Sequence, residues 1–356
     1  MTMFPSRARV LLLAAALSPT VAQASAQQRV VPSSPVEALA HADVVATESG
    51  SSRHEFERVF FGDIPVELTL YASDRAKAVA AAEAAFARIA GLAAMMDDYA
   101  LDPPSPLNRI AELAPQAVEI PDELLLVLRR GKEMHAITDG AFDITAKPFV
   151  QLWRVSRRLG ELPPADRIRR AAVFVDIGAL TLDRERSTAM LAREGMWLDL
   201  GGIAKGAIGD AVIALLSDLG VPSCRYHAGG DMVFGDAPPG LPGWPVRVPD
   251  LQVCDDAGVR RPLAFWASRC AASVSGDVFR FVEIHGVRYA HVIDPRTGFG
   301  VTTRRISCVR GAHGIDTDPL ATAGLVLDDA RWRAALRRVP GCEGWTAEPD
   351  EVTPRR

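Results

Sequence analysis

The chain has 356 residues, 48% hydrophobic and 24% charged, with a formal net charge of −4. This balance excludes a disordered chain, a collagen-like repeat and a coiled coil, and the length suits two ordinary domains or one large one. The slight acidic excess gives no electrostatic case for a nucleic-acid partner.

Residues 1–26 read as a secretion signal. Arg7 and Arg9 form a cationic start, Val10 to Leu17 a short apolar run, and Ala24-Ser25-Ala26 an A-x-A cleavage site. The expectation is a periplasmic protein cleaved after Ala26, with no Cys near the cleavage point to carry a lipid. Cleavage removes two arginines and no acid, which leaves −6. No later stretch approaches the roughly 18 uninterrupted apolar residues of a spanning helix, so a soluble mature chain with no membrane span is expected. Cys224, Cys254, Cys270, Cys308 and Cys342 are odd in number and lack a C-x-x-C pair. They form neither a disulfide framework nor a zinc site; one or two bridges and buried free thiols are both compatible with them.

Residues 27–53 show little periodicity and read as a mobile leader. Val59 to Tyr71 is rich in β-branched and aromatic residues and predicts a strand. Ser73 is the expected N-cap of an Ala-rich helix reaching about Asp98, with Ala81, Ala85, Ile89 and Leu92 along one stripe. Pro103, Pro104 and Pro106 predict a loop ending at Leu107-Asn108-Arg109. Pro121 and Asp122 open a helix over Glu123 to Thr138 that stops at Asp139-Gly140. Met196 to Leu200 predicts a short strand running into Gly201-Gly202-Ile203-Ala204-Lys205-Gly206 and a helix ending near Gly220. Strand-like segments come next at Ser223–Tyr226, Trp244–Val248, Ala264–Ala267, Phe279–Ile284 and Arg288–Ile293. A last helix, with room for a break, is expected from Pro319 to Val339. Long helices and the mostly non-alternating order of elements predict an α+β fold.

Five segments carry chemistry. The strand–Gly-Gly–helix turn brings backbone close to a ligand and offers a helix N-terminus, with Lys205, to a phosphate; the same residues would also make an ordinary tight turn. Pro319 suits the first helical position, which makes Asp318 the N-cap. Asp318 and Thr322, four apart on one helix face, could offer hard oxygens to Mg²⁺ or serve only as caps. His291-Val292-Ile293-Asp294-Pro295-Arg296-Thr297-Gly298 is good turn chemistry after a strand, and a functional reading would set His291 and Arg296 near an anionic substrate. Asp143 and Thr145 lie between two helical stretches, where Asp143 could cap the second of them. Ala228-Gly229-Gly230-Asp231 reads as a loop whose backbone approaches something closely.

Taken together, these segments resemble the ApbE family, the FAD:protein FMN transferases, over about residues 55 to 330. The resemblance is carried by Gly-Ala-Phe-Asp-Ile-Thr around Asp143, Asp-Leu-Gly-Gly-Ile-Ala-Lys-Gly at 199–206 and Ala-Gly-Gly-Asp at 228–231. Ser-Gly-Asp at 275–277, His-Val-Ile-Asp-Pro-Arg-Thr-Gly at 291–298 and Asp-Pro-Leu-Ala-Thr at 318–322 complete it. It departs from the family at Phe61-Gly62-Asp63, where Met-Gly-Thr is usual, and at Val274 and Val278 beside the Ser-Gly-Asp run.

The resemblance implies a two-lobed, T-fold-like α+β architecture over residues 54–345 with FAD in the inter-lobe cleft, and then a C-terminal tail at 346–356. It implies FAD as substrate, Mg²⁺ as cofactor, and transfer of FMN to a threonine of a target flavoprotein with release of AMP. By that likeness Gly202 (through its carbonyl), Asp318 and Thr322 would hold the metal. Asp143, Gly201, Lys205, Gly230 and Asp231 would contact FAD, and His291 and Asp318 would be catalytic. His291 and a carboxylate near the metal, such as Asp316, are the candidates for the base. A FAD pyrophosphatase and a non-catalytic FAD-binding protein are the competing readings.

Overall fold

A computed structural model describes residues 50–254, 259–277 and 281–348. The predicted signal at 1–26, the leader up to residue 49, Val278, the first residues of the strand expected from Phe279, and residues 349–356 of the tail lie outside the described residues.

The described residues begin with a hairpin, β1 (Ser52–Phe60) with β2 (Ile64–Ala72), in register from Ser52↔Ala72 to Phe60↔Ile64. The single strand expected over 59–71 is therefore divided, because Phe61 (φ 55°) and Gly62 turn the backbone round. β1 also begins inside the stretch read as leader. Helix α1 (Arg75–Met95) is capped by Asp74 rather than Ser73: Asp74 Oδ1 accepts from the Lys77 amide at 2.8 Å, and the Ser73 hydroxyl donates to Asp74 Oδ2 at 3.0 Å. The proline-rich loop contains a short helix, α2 (Pro106–Glu112), with Pro106 at its start and the Ser105 hydroxyl accepting from the Asn108 amide at 3.0 Å. Proline acts here as a helix opener, not only as a breaker.

Next in the chain are β3 (Val118–Glu119), α3 (Asp122–Ile137), α4 (Lys147–Leu159), α5 (Ala165–Ala172), β4 (Leu180–Asp183) and β5 (Thr188–Leu191). Residues 196–200 are irregular, not a strand; the Asp199 amide bonds the Ile144 carbonyl at 2.8 Å. Beyond them come α6 (Ala204–Asp218), β6 (Cys224–Ala228), β7 (Asp231–Phe234), β8 (Trp244–Cys254), β9 (Arg260–Ala267) and β10 (Cys270–Ser275). The last part holds β11 (Phe281–Ile284), β12 (Val287–Ala290), β13 (Ile293–Asp294), β14 (Phe299–Gly300), β15 (Ile306–Gly311), α7 (Gly314–Val326), α8 (Asp329–Arg337) and β16 (Glu343–Ala347).

Seven strands form one antiparallel sheet in the order β1-β2-β6-β7-β10-β15-β16. Alternation along the strands sorts the side chains. Leu68, Tyr226 and Val309 face the main core beneath α1, α6 and α7, while Ile306 and Cys308 pack with Val248 and Leu263 of the β8–β9 ribbon on the other face. Helices segregated to one face of an antiparallel sheet make this an α+β fold. One described helix, Arg75–Met95, is long and apolar enough to cross a membrane; it lies in this core through Ala78, Ala82, Phe86 and Ile89. All five cysteines are free, and Cys224, Cys270 and Cys308 are buried.

Helix α7 corrects one expectation. It starts at Gly314, not at Pro319, and Asp318 is not its cap. The cap comes from another helix: Asp210 of α6 accepts from the Gly314 amide at 2.7 Å and the Ile315 amide at 2.9 Å. Pro319 then sits in the second turn, where its missing N–H costs the single bond to the Ile315 carbonyl. The break expected in this region falls at Leu327–Asp328, with Asp328 capping α8.

The starts of α6 and α7 touch backbone to backbone. A Cβ on Gly206 would stand 2.0 Å from the Gly314 carbonyl oxygen, and one on Gly314 would stand 2.4 Å from that of Gly206. Gly206→Ala should therefore destabilise the protein by about 3 kcal/mol or more in urea unfolding, since the obstructing atoms are main chain. A loss below about 1 kcal/mol would mean that the crossing can relax.

Burial pushes the Asp210 carboxyl up to about 6, against the two amides that stabilise its charge. Between about pH 4 and this value the folded protein keeps a proton that the unfolded chain has given up, so stability falls as pH rises through that window. Asp210→Asn retains an oxygen for the amides and removes the titration. Its melting temperature should gain on the parent's as pH is raised across the window; parallel curves would refute the assignment.

Candidate active site

The site grows from the turn between Leu200 and α6. The Asp199 carboxylate accepts from the Gly201 amide at 2.8 Å, and the next residues wind directly into the helix. Lys205 lies in the first turn, and its ammonium donates to the Gly201 carbonyl at 3.1 Å. The same ammonium stands 3.0 Å from Asp231 Oδ2 and 3.7 Å from Asp318 Oδ2. The Gly206 amide donates to Asp318 Oδ2 at 3.3 Å. The positive end of α6 is thus filled by two of the chain's own carboxylates.

Each carboxylate has a structural reason to be there. Asp231 opens β7 after a two-residue turn at Gly229-Gly230 and pairs with Ser273 of β10. Gly230 itself is tied to that strand: its carbonyl accepts from the Val274 amide at 2.8 Å, and a Cβ on it would stand 2.1 Å from the Val274 oxygen. Ser273 and Thr317 share a hydroxyl–hydroxyl hydrogen bond of 2.8 Å, which docks α7 on the sheet and holds Asp318 beside Asp231. Asp318 is 3% exposed; burial, then the neighbouring Asp231 charge, push its carboxyl up to about 7 despite the opposing pull of Lys205.

Thr322 lies one turn beyond Asp318 on α7. A Cβ on Gly202 would lie 3.2 Å from Thr322 Oγ1 and 3.0 Å from the Phe142 ring. Gly202, Asp318 and Thr322 are therefore neighbours, and a carboxylate, a hydroxyl and a main-chain carbonyl form a set of hard oxygens that could hold a divalent cation. The set fits such an ion electrostatically as well, because one ammonium balances only one of the two buried carboxylates. Among the described residues no group of three or more His, Cys, Asp or Glu could hold a metal, so an ion here would rely on mixed oxygen donors.

Phe142 links this centre to a second group. Asp143 Oδ1 accepts from the Thr145 amide at 2.7 Å and the Thr145 hydroxyl at 2.6 Å. Asp143 Oδ2 lies 3.2 Å from His135 Nδ1 but off the line of a hydrogen bond, which leaves that buried nitrogen without a hydrogen-bond partner among the described residues. Asp143 thus makes a local turn before α4, whose N-cap is Ala146. A Cβ on Gly140 would touch both His135 (3.5 Å) and Arg296 (3.8 Å), and Arg296 grips Asp294 through two contacts of 2.8 and 2.9 Å. His291 is exposed in the bend between β12 and β13.

Three further residues, Asp98, Lys147 and Arg154, were not singled out as site residues by the sequence reading. Asp98 receives Lys147 at 3.0 Å and Arg154 at 3.1 Å, and the Arg154 guanidinium lies 4.2 Å over the exposed ring of Tyr99. Asp199 faces this group: burial and then the Asp98 charge raise its carboxyl above the usual range. The signal was faint, a lysine and an arginine seven apart on one helix face at Lys147 and Arg154.

A family model described as the ApbE family matches residues 63–345. An FAD:protein FMN transferase of Treponema pallidum (strain Nichols) is 32% identical over 274 residues, which cover 73% of this chain and 74% of that protein. One of Haemophilus influenzae is 28% identical over 218 residues, 60% of this chain and 62% of its own length. The crystal structure of the Pseudomonas stutzeri flavinyl transferase ApbE in its apo form matches with a TM-score of 0.69 at 24% identity, covering 81% of this chain and 89% of that one. The flavin transferase ApbE from Vibrio cholerae matches with a TM-score of 0.70 at 20% identity, covering 83% and 97%. The structural likenesses carry the fold, and the family match spans the chain from the β1–β2 turn to β16: the chain belongs to the ApbE family.

Proposed function

We propose that the protein is an FAD:protein FMN transferase that moves FMN from FAD to a threonine hydroxyl of a target flavoprotein, with Mg²⁺ as cofactor and AMP as leaving group. The observation that carries this reading is the buried Asp231–Asp318 pair against a single Lys205 at a helix N-terminus. A pyrophosphate would be repelled by two carboxylates unless a dication stood between them, so the centre suits a metal–diphosphate substrate better than a free anion. Bound there, Mg²⁺ would neutralise charge on the diphosphate and on the departing AMP.

The reaction asks the chain mainly to position and to move one proton. The threonine oxygen forms a bond to the phosphorus of the FMN half, the bond from that phosphorus to the bridging oxygen breaks, and AMP leaves with the electron pair. The Lys205 ammonium would face the diphosphate, and Asp318, Thr322 and the Gly202 carbonyl would hold the metal. Of the two candidate bases, Asp316 is engaged with Arg130 at 2.7 Å, two residues along α7 and therefore on a different face from Asp318. His291, exposed in the bend between β12 and β13, is the base that the family likeness favours for the hydroxyl proton. The signal-like residues 1–26 support a periplasmic site of action.

Incubation with FAD and Mg²⁺, with and without a threonine-bearing flavoprotein, tests the reading through AMP release and the mass of the acceptor. An acceptor that gains one FMN for each AMP is the expected result; AMP and free FMN with no labelled acceptor would favour the pyrophosphatase, and intact FAD the binding protein. Asp318→Ala should lower metal-dependent turnover by roughly 100-fold or more while FAD still binds. Full activity in that variant would remove Asp318 from the metal site.

His291→Ala should lower kcat by roughly 100-fold or more, and Asp316→Asn by only a few fold. The reverse ranking would hand the proton to Asp316.

A further inference from the structure

The α4–α5 hairpin stands apart from the rest of the surface. From Arg154 to Ala172 it carries six arginines (154, 157, 158, 167, 169 and 170) and two acids, Glu161 and Asp166, a balance of +4 in a chain whose net charge is −4. Helix α4 ends at Gly160 in a left-handed conformation, and Pro164 caps α5, so the connection between them is short and stiff. Only Ile168 of α5 is buried, which turns nearly all of that helix to solvent. Arg169 pairs with Asp166. Among the described residues Arg158, Arg167 and Arg170 have no acidic partner within ion-pair distance, and all three are exposed.

Large apolar side chains alternate with these arginines. Leu159 is 65% exposed at the end of α4, Leu162 is 36% exposed in the connection, and Val155 and Val173 flank them. A polyanion in water would engage the guanidinium groups and leave the leucines wet. A lipid interface satisfies both, with phosphates for arginine and the acyl boundary for leucine. The remaining surface carries the negative excess, so an anionic bilayer would attract this hairpin and repel the rest, which fixes one orientation.

We propose that the α4–α5 hairpin docks the protein on an anionic phospholipid bilayer, as a peripheral contact made by Arg158, Arg167, Arg170 and the leucines of the connection. The proposal does not depend on the chemistry assigned to the site. It does bear on where that site lies: α4 is 13 residues long. That length is roughly 20 Å at the rise of an α-helix. Lys147, at its other end, and Arg154, near its middle, hold Asp98 beside Tyr99.

Cosedimentation of the mature chain with vesicles of phosphatidylglycerol and phosphatidylcholine, and with vesicles of phosphatidylcholine alone, tests it at low and high salt. Binding is expected only to the anionic vesicles and only at low salt. Combined Arg158→Gln, Arg167→Gln and Arg170→Gln should weaken it by roughly 100-fold, about fivefold for each charge. Leu159→Ser with Leu162→Ser should weaken it by about tenfold or more and keep its salt dependence. These positions are exposed, and an unchanged melting temperature verifies the fold of each variant. Absence of binding, equal binding to both vesicle types, or parental binding by the arginine variant would overturn the proposal. Retention on polyglutamate beads without vesicle binding would also overturn it and assign the patch to an acidic polypeptide.

Discussion

Two glycines hold the centre of this molecule together. Gly206 and Gly314 let the first turns of α6 and α7 meet main chain against main chain, a separation that no side chain at either position allows. The chemistry of the site depends on that contact. It brings Lys205 and the Gly206 amide from one helix against Asp318 from the other, and it lets Asp210 reach across to the free amides of α7. A helix start normally finds its cap in the preceding residue. Here the cap is borrowed, so the position of α7 depends on α6 as much as on its own sequence.

The cost of the arrangement is electrostatic. Asp231 and Asp318 are nearly excluded from water, and one ammonium with one helix terminus cannot fully offset two negative charges. The raised Asp318 carboxyl is the expression of that deficit. Tyr226, whose buried hydroxyl has no hydrogen-bond partner among the described residues and feels both carboxylates, belongs to the same incompletely satisfied region. A core built only for stability would replace such groups with apolar ones. Their retention beneath the Gly201–Gly202 turn is understandable if a cation completes them.

Much of the fold could be read from local pattern because local pattern decides it. The helix from Asp122 to Ile137 has acidic residues in its first turn and a left-handed Asp139-Gly140 exit, and both lie within its own sequence. The glycine-rich turns were legible for the same reason. The hidden features depend on distant partners. The true start of α7 is set by Asp210, 104 residues before it, so Pro319 looked like the natural beginning. Met196, Leu198 and Leu200 alternate in burial like a strand, yet they lie in irregular chain whose Asp199 amide bonds the Ile144 carbonyl. Within the site, the segments carrying Lys205, Asp318 and Thr322 stood out by type and spacing. The pairing of Asp231 with Lys205 did not, because it needs the β6–β7 turn and the β10 register to bring the two together.

Helix α4 connects this interior chemistry to the surface. Its buried stripe, Phe149 and Trp153, packs beside the 291–298 turn, and the Trp153 indole donates to the Gly298 carbonyl at 2.9 Å. The helix therefore cannot shift without moving the segment that carries His291 and Asp294. Its charges are sorted along its length: Lys147 and Arg154 are spent on Asp98, whereas Arg158 faces solvent beside Leu159. The same residue type thus serves two ends differently, as a counter-ion where an acid is present and as an exposed charge where none is. A rod held at its middle by Trp153 and followed by a stiff Gly160–Pro164 connection transmits position rather than flexibility. A surface that engages its tip would consequently orient the whole catalytic face.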